Sequence, residues 1–314
     1  MLISIKTHLY LLLALVCATQ QAFAVVLTVN RDANAVEITS VSYMINNLSL
    51  TQSTEASSVT TTSDAVFVTN ITINDGGPKN LDFYNLGNAV IRNNNFQADT
   101  GVSSGNGGVG VYNSTSPTTV RIQDDGLAAF EDAVIQSATN TNLMNYIFYD
   151  GSINNLPPVG QHDFDLLFHY AWTTDDYIVV AERNGNTFFE LTPLGVDGLP
   201  IAGANTLEFD DAYGWRSGYR NAADSFNQDM WFTAARIDKF FEGTSVVASD
   251  QVVYGYRIEN NGNADIKLFG ASDNTFEDNP INPLVPVPEP ATASLLLGAL
   301  AMLTACSRRR IARA

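Results

Sequence analysis

The chain has 314 residues, 45% of them hydrophobic and 16% charged, with 16 basic residues against 33 acidic ones and a formal net charge of −17. That length allows a sizeable packed core, but so acidic a balance offers no basic face for a nucleic-acid backbone and argues against DNA or RNA as a partner. Two cysteines, Cys17 and Cys306, and three histidines exclude a multi-bridge disulfide framework, a four-thiolate zinc site and a His-rich metal centre.

Residues 1–24 read as a secretory signal peptide. Lys6 is the only charge in the first thirty residues, and an apolar run follows over Leu9–Ala18. About ten residues are too few to cross a hydrocarbon core of roughly 30 Å. Ala22 and Ala24 flank Phe23 in the small-x-small pattern that a signal peptidase accepts. Val16 before Cys17 does not fit a lipoprotein signal.

From residue 25 onward strand signals dominate. Val25–Val29, Ala35–Ile45, Asp64–Ile73, Gly108–Tyr112, Thr118–Ile122, Phe164–Trp172 and Tyr177–Ala181 are β-branched or aromatic, and some alternate. Residues 51–64 hold nine Ser or Thr in fourteen and predict a loop or an exposed edge. Residues 93–108, rich in Asn and Gly, predict a long loop. Asp125 is placed to cap a helix that puts Leu127, Phe130 and Val134 on one face and ends near Ser137. Leu143–Phe148 is either its continuation or a strand.

Two Asn-Gly pairs predict hairpins, because both turn positions need positive φ. One joins Tyr177–Glu182 to Thr187–Leu191 through Asn184-Gly185. The other joins Tyr254–Glu259 to Ala264–Phe269 through Asn261-Gly262. They share Glu-x-Asn-Gly-Asn followed by a leucine, at Glu182–Leu191 and Glu259–Leu268. Many short strands with frequent turns predict an all-β or mainly β passenger, a β-sandwich or jelly roll with one or two short helices. It is expected as one domain over residues 25–271, with a split near Asn154–Pro158 as the alternative. Residues 272–287 turn acidic and then Pro-rich, as in a linker.

The C-terminus carries Pro288-Glu289-Pro290, then an uncharged apolar segment over 291–306, then Arg308, Arg309, Arg310 and Arg313. As a helix the apolar segment spans roughly 24 Å, enough for a short transmembrane helix. The arginines place its far end in the cytoplasm, so residues 25–290 are exported, as the N-terminal signal also requires. The prolines keep the stretch before the helix extended. These three parts together, over residues 288–314, resemble the PEP-CTERM sorting signal. The resemblance implies a Gram-negative source and an exosortase as processing partner, a membrane-embedded cysteine transpeptidase that cuts near the Pro-Glu-Pro. It further implies transient membrane anchoring, delivery to the cell surface or extracellular matrix, and an association with exopolysaccharide and biofilm.

Catalytic patterns are thin in the passenger. It lacks a thiol nucleophile, a Gly-x-Ser-x-Gly elbow and a phosphate-binding glycine loop. His162, Asp163, Asp165 and His169 are the best metal-like cluster, but on a strand the histidines and carboxylates do not converge. Asp124-Asp125, Asp175-Asp176 and Asp210-Asp211 are the carboxylate pairs a hydrolase would draw on. No cofactor is expected; structural calcium is open at Glu259–Asp265 and Asp273–Asp278, neither of which matches an EF-hand loop. The expected function is therefore non-enzymatic. The alternative is a carbohydrate-binding module using Tyr213, Trp215 and Tyr219, aromatic rings set among glycines and two arginines.

Overall fold

The computed structural model describes residues 25–83, 89–94, 108–113, 118–121, 125–150, 163–210, 214–222, 228–259 and 266–272. The signal peptide, Tyr213, His162 and everything from residue 273 on, including the expected transmembrane helix, lie outside the described residues. The described residues all fall in one compact unit that ends at Asn279; Pro280–Ala314 form a second.

The chain is mainly β. Its strands are β1 (Val26–Val29), β2 (Glu37–Ile45), β3 (Leu48–Gln52), β4 (Thr60–Thr62), β5 (Val66–Asn74), β6 (Pro78–Phe83), β7 (Val90–Arg92), β8 (Gly108–Asn113) and β9 (Thr118–Arg121). After helix α1 (Leu127–Thr139) come β10 (Ile147–Asp150), β11 (Phe164–Trp172), β12 (Tyr177–Arg183), β13 (Phe189–Leu194), β14 (Thr206–Phe209), β15 (Trp215–Arg216), β16 (Tyr219–Asn221), β17 (Met230–Arg236), β18 (Val253–Glu259) and β19 (Ile266–Ser272).

One six-stranded sheet runs β1-β14-β13-β18-β11-β7, and one eight-stranded sheet runs β15-β17-β12-β19-β6-β5-β2-β3. The eight-stranded sheet rolls over: the Val36 N–H bonds Ala234 O at 2.8 Å and brings the start of β2 back to β17. Inside the roll lies one apolar cluster that includes Val41, Tyr43, Ile71, Val179, Trp215 and Phe232. A second cluster fills the space between the two sheets and under α1, with Phe130, Phe164, Leu166, Val180, Leu191 and Leu268. β12 divides the two clusters. Tyr177, Val179 and Ala181 point inward, Ile178 and Val180 point to the other sheet, and all seven of its residues are buried. A strand covered on both faces reads as a continuous apolar run, as Tyr177–Ala181 does.

Imperfect alternation in β2 and β5 has a local cause. Ser42 pairs with Asn70 and Tyr43 with Val68, so Thr69 is an unpaired bulge residue. The bulge resets the face, and Val66, Val68, Ile71 and Ile73 all reach the inner core. A tight turn at Asn46-Asn47, with φ of 50° and 63°, joins β2 to β3. Asn-Asn serves a turn that needs two positive φ values, a signal the sequence reading passed over.

Both expected Asn-Gly hairpins are corrected. Asn184 and Gly185 do take positive φ, 73° and 59°. Yet β12 pairs with β17 and β19, while β13 pairs with β14 and β18. The turn is a corner from one sheet to the other. Glu182, 1% exposed, holds it: its carboxylate accepts the Asn186 N–H at 3.2 Å and the Thr187 hydroxyl at 2.6 Å. β18 and β19 likewise belong to different sheets, so the second pair crosses in the opposite sense and the two units interlock.

Helix α1 starts at Leu127 with Gly126 as its N-cap at φ 86°, and no side chain caps it, so Asp125 does not have the expected capping role. Phe130 and Val134 are buried as expected, whereas Leu127 is exposed. Lys267 of β19 is fully buried; its ammonium donates to Ser137 O and, at 3.1 Å, to Asn140 Oδ1, satisfying carbonyl groups at the helix end. Burial pushes this amine well below its ordinary range. Leu143–Phe148 is neither a helix nor wholly a strand: Leu143 and Met144 form a turn that plugs the inner core, and β10 begins at Ile147. β6 pairs with β19, so residues on either side of 155 share a sheet.

Candidate functional site

The Ser/Thr-rich stretch and the aromatic segment, far apart in sequence, meet on one surface. Parallel pairing sets Thr60, Thr61 and Thr62 of β4 against Tyr219, Arg220 and Asn221 of β16. Upstream, the Arg216 carbonyl accepts from Gln52 Nε2 at 3.0 Å and from the Ala56 N–H at 3.1 Å. The Arg220 guanidinium donates to Thr61 Oγ1 at 2.9 Å. Gly218, at φ 76°, is the contact point: a Cβ there would sit 2.4 Å from Ala56 Cβ and 2.8 Å from Ser58 O. Only glycine lets the two segments close.

A buried ion pair fixes the segment from behind. Arg216 Nε lies 3.0 Å from Asp229 Oδ2 and Nη2 3.2 Å from Oδ1, and Asp229 is 3% exposed. The same carboxylate accepts the Gly218 N–H at 2.8 Å. The guanidinium also lies 5.7 Å from the centre of the Trp231 ring, within cation–π range.

Between the two segments is a groove of about 380 Å³, lined by Gln52, Thr54, Ser57, Ser58, Thr60 and Tyr219 among others. Among its lining residues the one charged side chain is Glu55, which pairs with Arg31 at 2.6 Å. Tyr219 is half-buried and meets Tyr43 edge to face, with ring centres 5.2 Å apart. Trp215 lies elsewhere: it is 4% exposed and packs in the inner core. Its ring faces neighbouring side chains and not solvent, so it does not offer the stacking surface expected of it. Tyr213 lies outside the described residues.

Among the described residues, the carboxylates singled out in the sequence have separate partners. Asp165 is buried and bidentate with Arg257, at 2.8 and 3.0 Å, with Asn93 Nδ2 at 2.6 Å. Asp176 closes its own turn by accepting from Thr173 N at 2.6 Å, while Asp175 faces outward to Arg236 at 3.4 Å. Asp124 and Asp211 lie outside the described residues. Among the described residues, no three His, Cys, Asp or Glu side chains are grouped to hold a metal ion.

Two electrostatic features escaped the sequence reading. A row of carboxylates crosses the outer face of the six-stranded sheet: Glu190 lies directly opposite both Glu208 and Glu259. Burial first, then the charges of Glu259, Glu208 and Asp163, raise the Glu190 carboxyl above its ordinary range. Burial and Asp163 do the same to Glu259. These residues sit on three different strands, and only the register reveals that they are neighbours. The second feature is a brace at Tyr177, whose hydroxyl donates to Asp75 at 2.7 Å and accepts from Lys79 Nζ at 2.9 Å. Arg236 reaches the same Asp75 oxygen at 3.2 Å. The Tyr177 hydrogen bond, with Arg236 behind it, holds the Asp75 carboxyl below its ordinary range.

The decisive functional signal lies outside this domain. Residues 286–310 match the family model of the PEP-CTERM protein-sorting motif. The chain carries a PEP-CTERM protein-sorting motif at its C-terminus. The matched residues contain Pro288, Glu289 and Pro290, the apolar segment and Arg308, Arg309 and Arg310. The motif implies an exported protein that an exosortase sorts and processes. No curated protein and no solved structure gives a significant match to the chain.

Proposed function

We propose that this chain is a non-enzymatic PEP-CTERM surface or matrix protein whose passenger, a β-sandwich-type domain over residues 25–271, is delivered by its tail. The observation that carries the reading is the sorting motif at residues 286–310. Signal peptidase cuts after Ala24, with Ala22 and Ala24 as its recognition residues. The helix over 291–306 then anchors the chain, Arg308, Arg309 and Arg310 hold its far end in the cytoplasm, and the exosortase cuts near Pro288-Glu289-Pro290. The released domain joins the cell surface or the exopolysaccharide matrix.

Composition supports the reading. Processing removes Lys6 and four arginines but only one acidic residue, Glu289, and it removes both cysteines. The delivered domain is thus more acidic than the whole chain and free of thiols. Mass spectrometry of cell-surface material tests this: the mature chain should begin at Val25 and end near Pro288. A mature chain that still contains Arg310 overturns the sorting claim.

A further inference from the structure

We propose that the groove between residues 50–60 and 217–219 binds a neutral, hydroxyl-rich ligand, a segment of uncharged polysaccharide. The argument rests on the chemistry of the lining and does not depend on the sorting motif.

The lining is polar but almost uncharged. Thr54, Ser57, Ser58 and Thr60 offer hydroxyls, and the Gln52 amide also lines the groove; Thr51 pairs with Ser42, and the buried Ser217 hydroxyl accepts the Tyr219 N–H. Each hydroxyl can donate and accept, which suits a ligand that does both. The single carboxylate, Glu55, is held by Arg31. No lining cation is present to take a phosphate, sulfate or uronate, and the net charge of −17 repels anions. A purely apolar ligand such as an acyl chain would cover these hydroxyls without replacing their water hydrogen bonds, at a cost for each. What remains is a neutral polyol with an apolar face. Tyr219 and the half-exposed Leu50 provide the apolar contact for that face.

The groove is also preformed. One wall is tied to the other through the β4–β16 pairing, the two bonds to Arg216 O and the close approach at Gly218. Asp229 fixes the backbone of the second wall, and Tyr43 fixes the Tyr219 ring. A rigid aromatic and fixed hydroxyls reduce the ordering cost on binding. With about 380 Å³, the groove has room for a few sugar rings and not for a globular partner.

The test is affinity electrophoresis of the full chain in detergent, through gels containing galactomannan, hydroxyethyl cellulose, dextran or alginate. At least one neutral polymer should retard the chain, and alginate should not. Tyr219→Ala and the groove-filling Ser57→Trp should each weaken retention about tenfold or more, an effect of one decade in Kd, while Tyr219→Phe keeps it. Circular dichroism of each variant separates loss of binding from loss of fold, and Ser57→Trp, on an exposed loop, leaves the core untouched. Absence of retardation by all three neutral polymers overturns the proposal. So does retention by alginate alone, or retention that folded Ser57→Trp and Tyr219→Phe,Ser57→Trp chains preserve.

Discussion

Glu190→Gln should make this protein more stable at neutral pH, although it removes a charge from an exposed sheet face. Glu190 stands between Glu208 and Glu259, directly opposite each across the strands, with Asp163 beyond. Like charges directly opposed on neighbouring strands destabilise by about 0.2–1 kcal/mol per pair. Two such pairs, half-exposed and therefore partly screened, give about 1 kcal/mol in total. The variant keeps the size and hydrogen-bonding capacity of the side chain and removes both repulsions. The sign with pH follows from the raised carboxyl. Below the unfolded value, about 4.3, Glu190 is protonated in both states and the penalty is absent. As pH rises through the folded value, the penalty sets in. Urea denaturation at pH 7 should therefore show a gain of about 1 kcal/mol, or a rise of roughly 2–4 °C in Tm for a domain of this size. At pH 3 the gain should vanish, and in 1 M salt it should shrink. A loss of stability at pH 7 in EDTA, or an equal gain at pH 3, would refute the reasoning.

Gly270→Ala should destabilise by about 1–3 kcal/mol or more, measured by chemical denaturation, because a Cβ would lie 2.0 Å from the fully buried Trp172 ring. Pairing it with Trp172→Leu should recover part of the loss. Asp229→Asn breaks a pair whose acidic partner is buried and should cost about 3 kcal/mol; an unchanged urea midpoint would show that the ion pair does not brace the groove. Asp75→Asn should destabilise by about 1 kcal/mol at pH 7, since Asp75 accepts from Tyr177 and Arg236. Here the sign is opposite to that of Glu190. A carboxyl held low adds stability above its unfolded value near 3.9, and that stability is lost as pH falls through the folded value, so the difference should disappear at the acid end of a pH–stability curve.

Several strands with a buried face were legible, whereas β14 and β17, each with a buried face, were not read. Phe164–Trp172 is read with the same limits in sequence and structure, and Val25–Val29 differs by one residue. Helix α1 was legible from Phe130 and Val134, but not its cap, because a glycine at positive φ leaves no side-chain signature. Pairing was not legible. Asn184-Gly185 specifies a turn conformation, and that conformation does not say whether the arms stay in one sheet. The clue was Glu182, a carboxylate two residues before the turn that a solvated hairpin has no need to bury. The groove was half legible. Tyr219 stands out in the sequence, but its partner wall reads as a loop or an exposed edge, and nothing local in residues 51–64 points to Gly218. Trp215 was misjudged for a related reason: glycines and arginines around an aromatic suggest exposure, while the register of β15 against Phe232 turns its ring inward. The sorting signal was fully legible, because short, ordered blocks of prolines, apolar residues and arginines act without tertiary structure.

The position of β19 bears on the order of events at the membrane. It is the last strand before the tail, yet it sits inside the eight-stranded sheet between β12 and β6. A chain exported from its N-terminus can assemble β2, β3 and β5 early, but the roll stays open until Ser272 has emerged. The motif begins at residue 286. A fully extended stretch of the intervening length reaches at most roughly 45 Å. Topology thus ties completion of the eight-stranded sheet to the strand nearest the sorting motif: the sheet cannot close without the segment that an N-to-C export step delivers last.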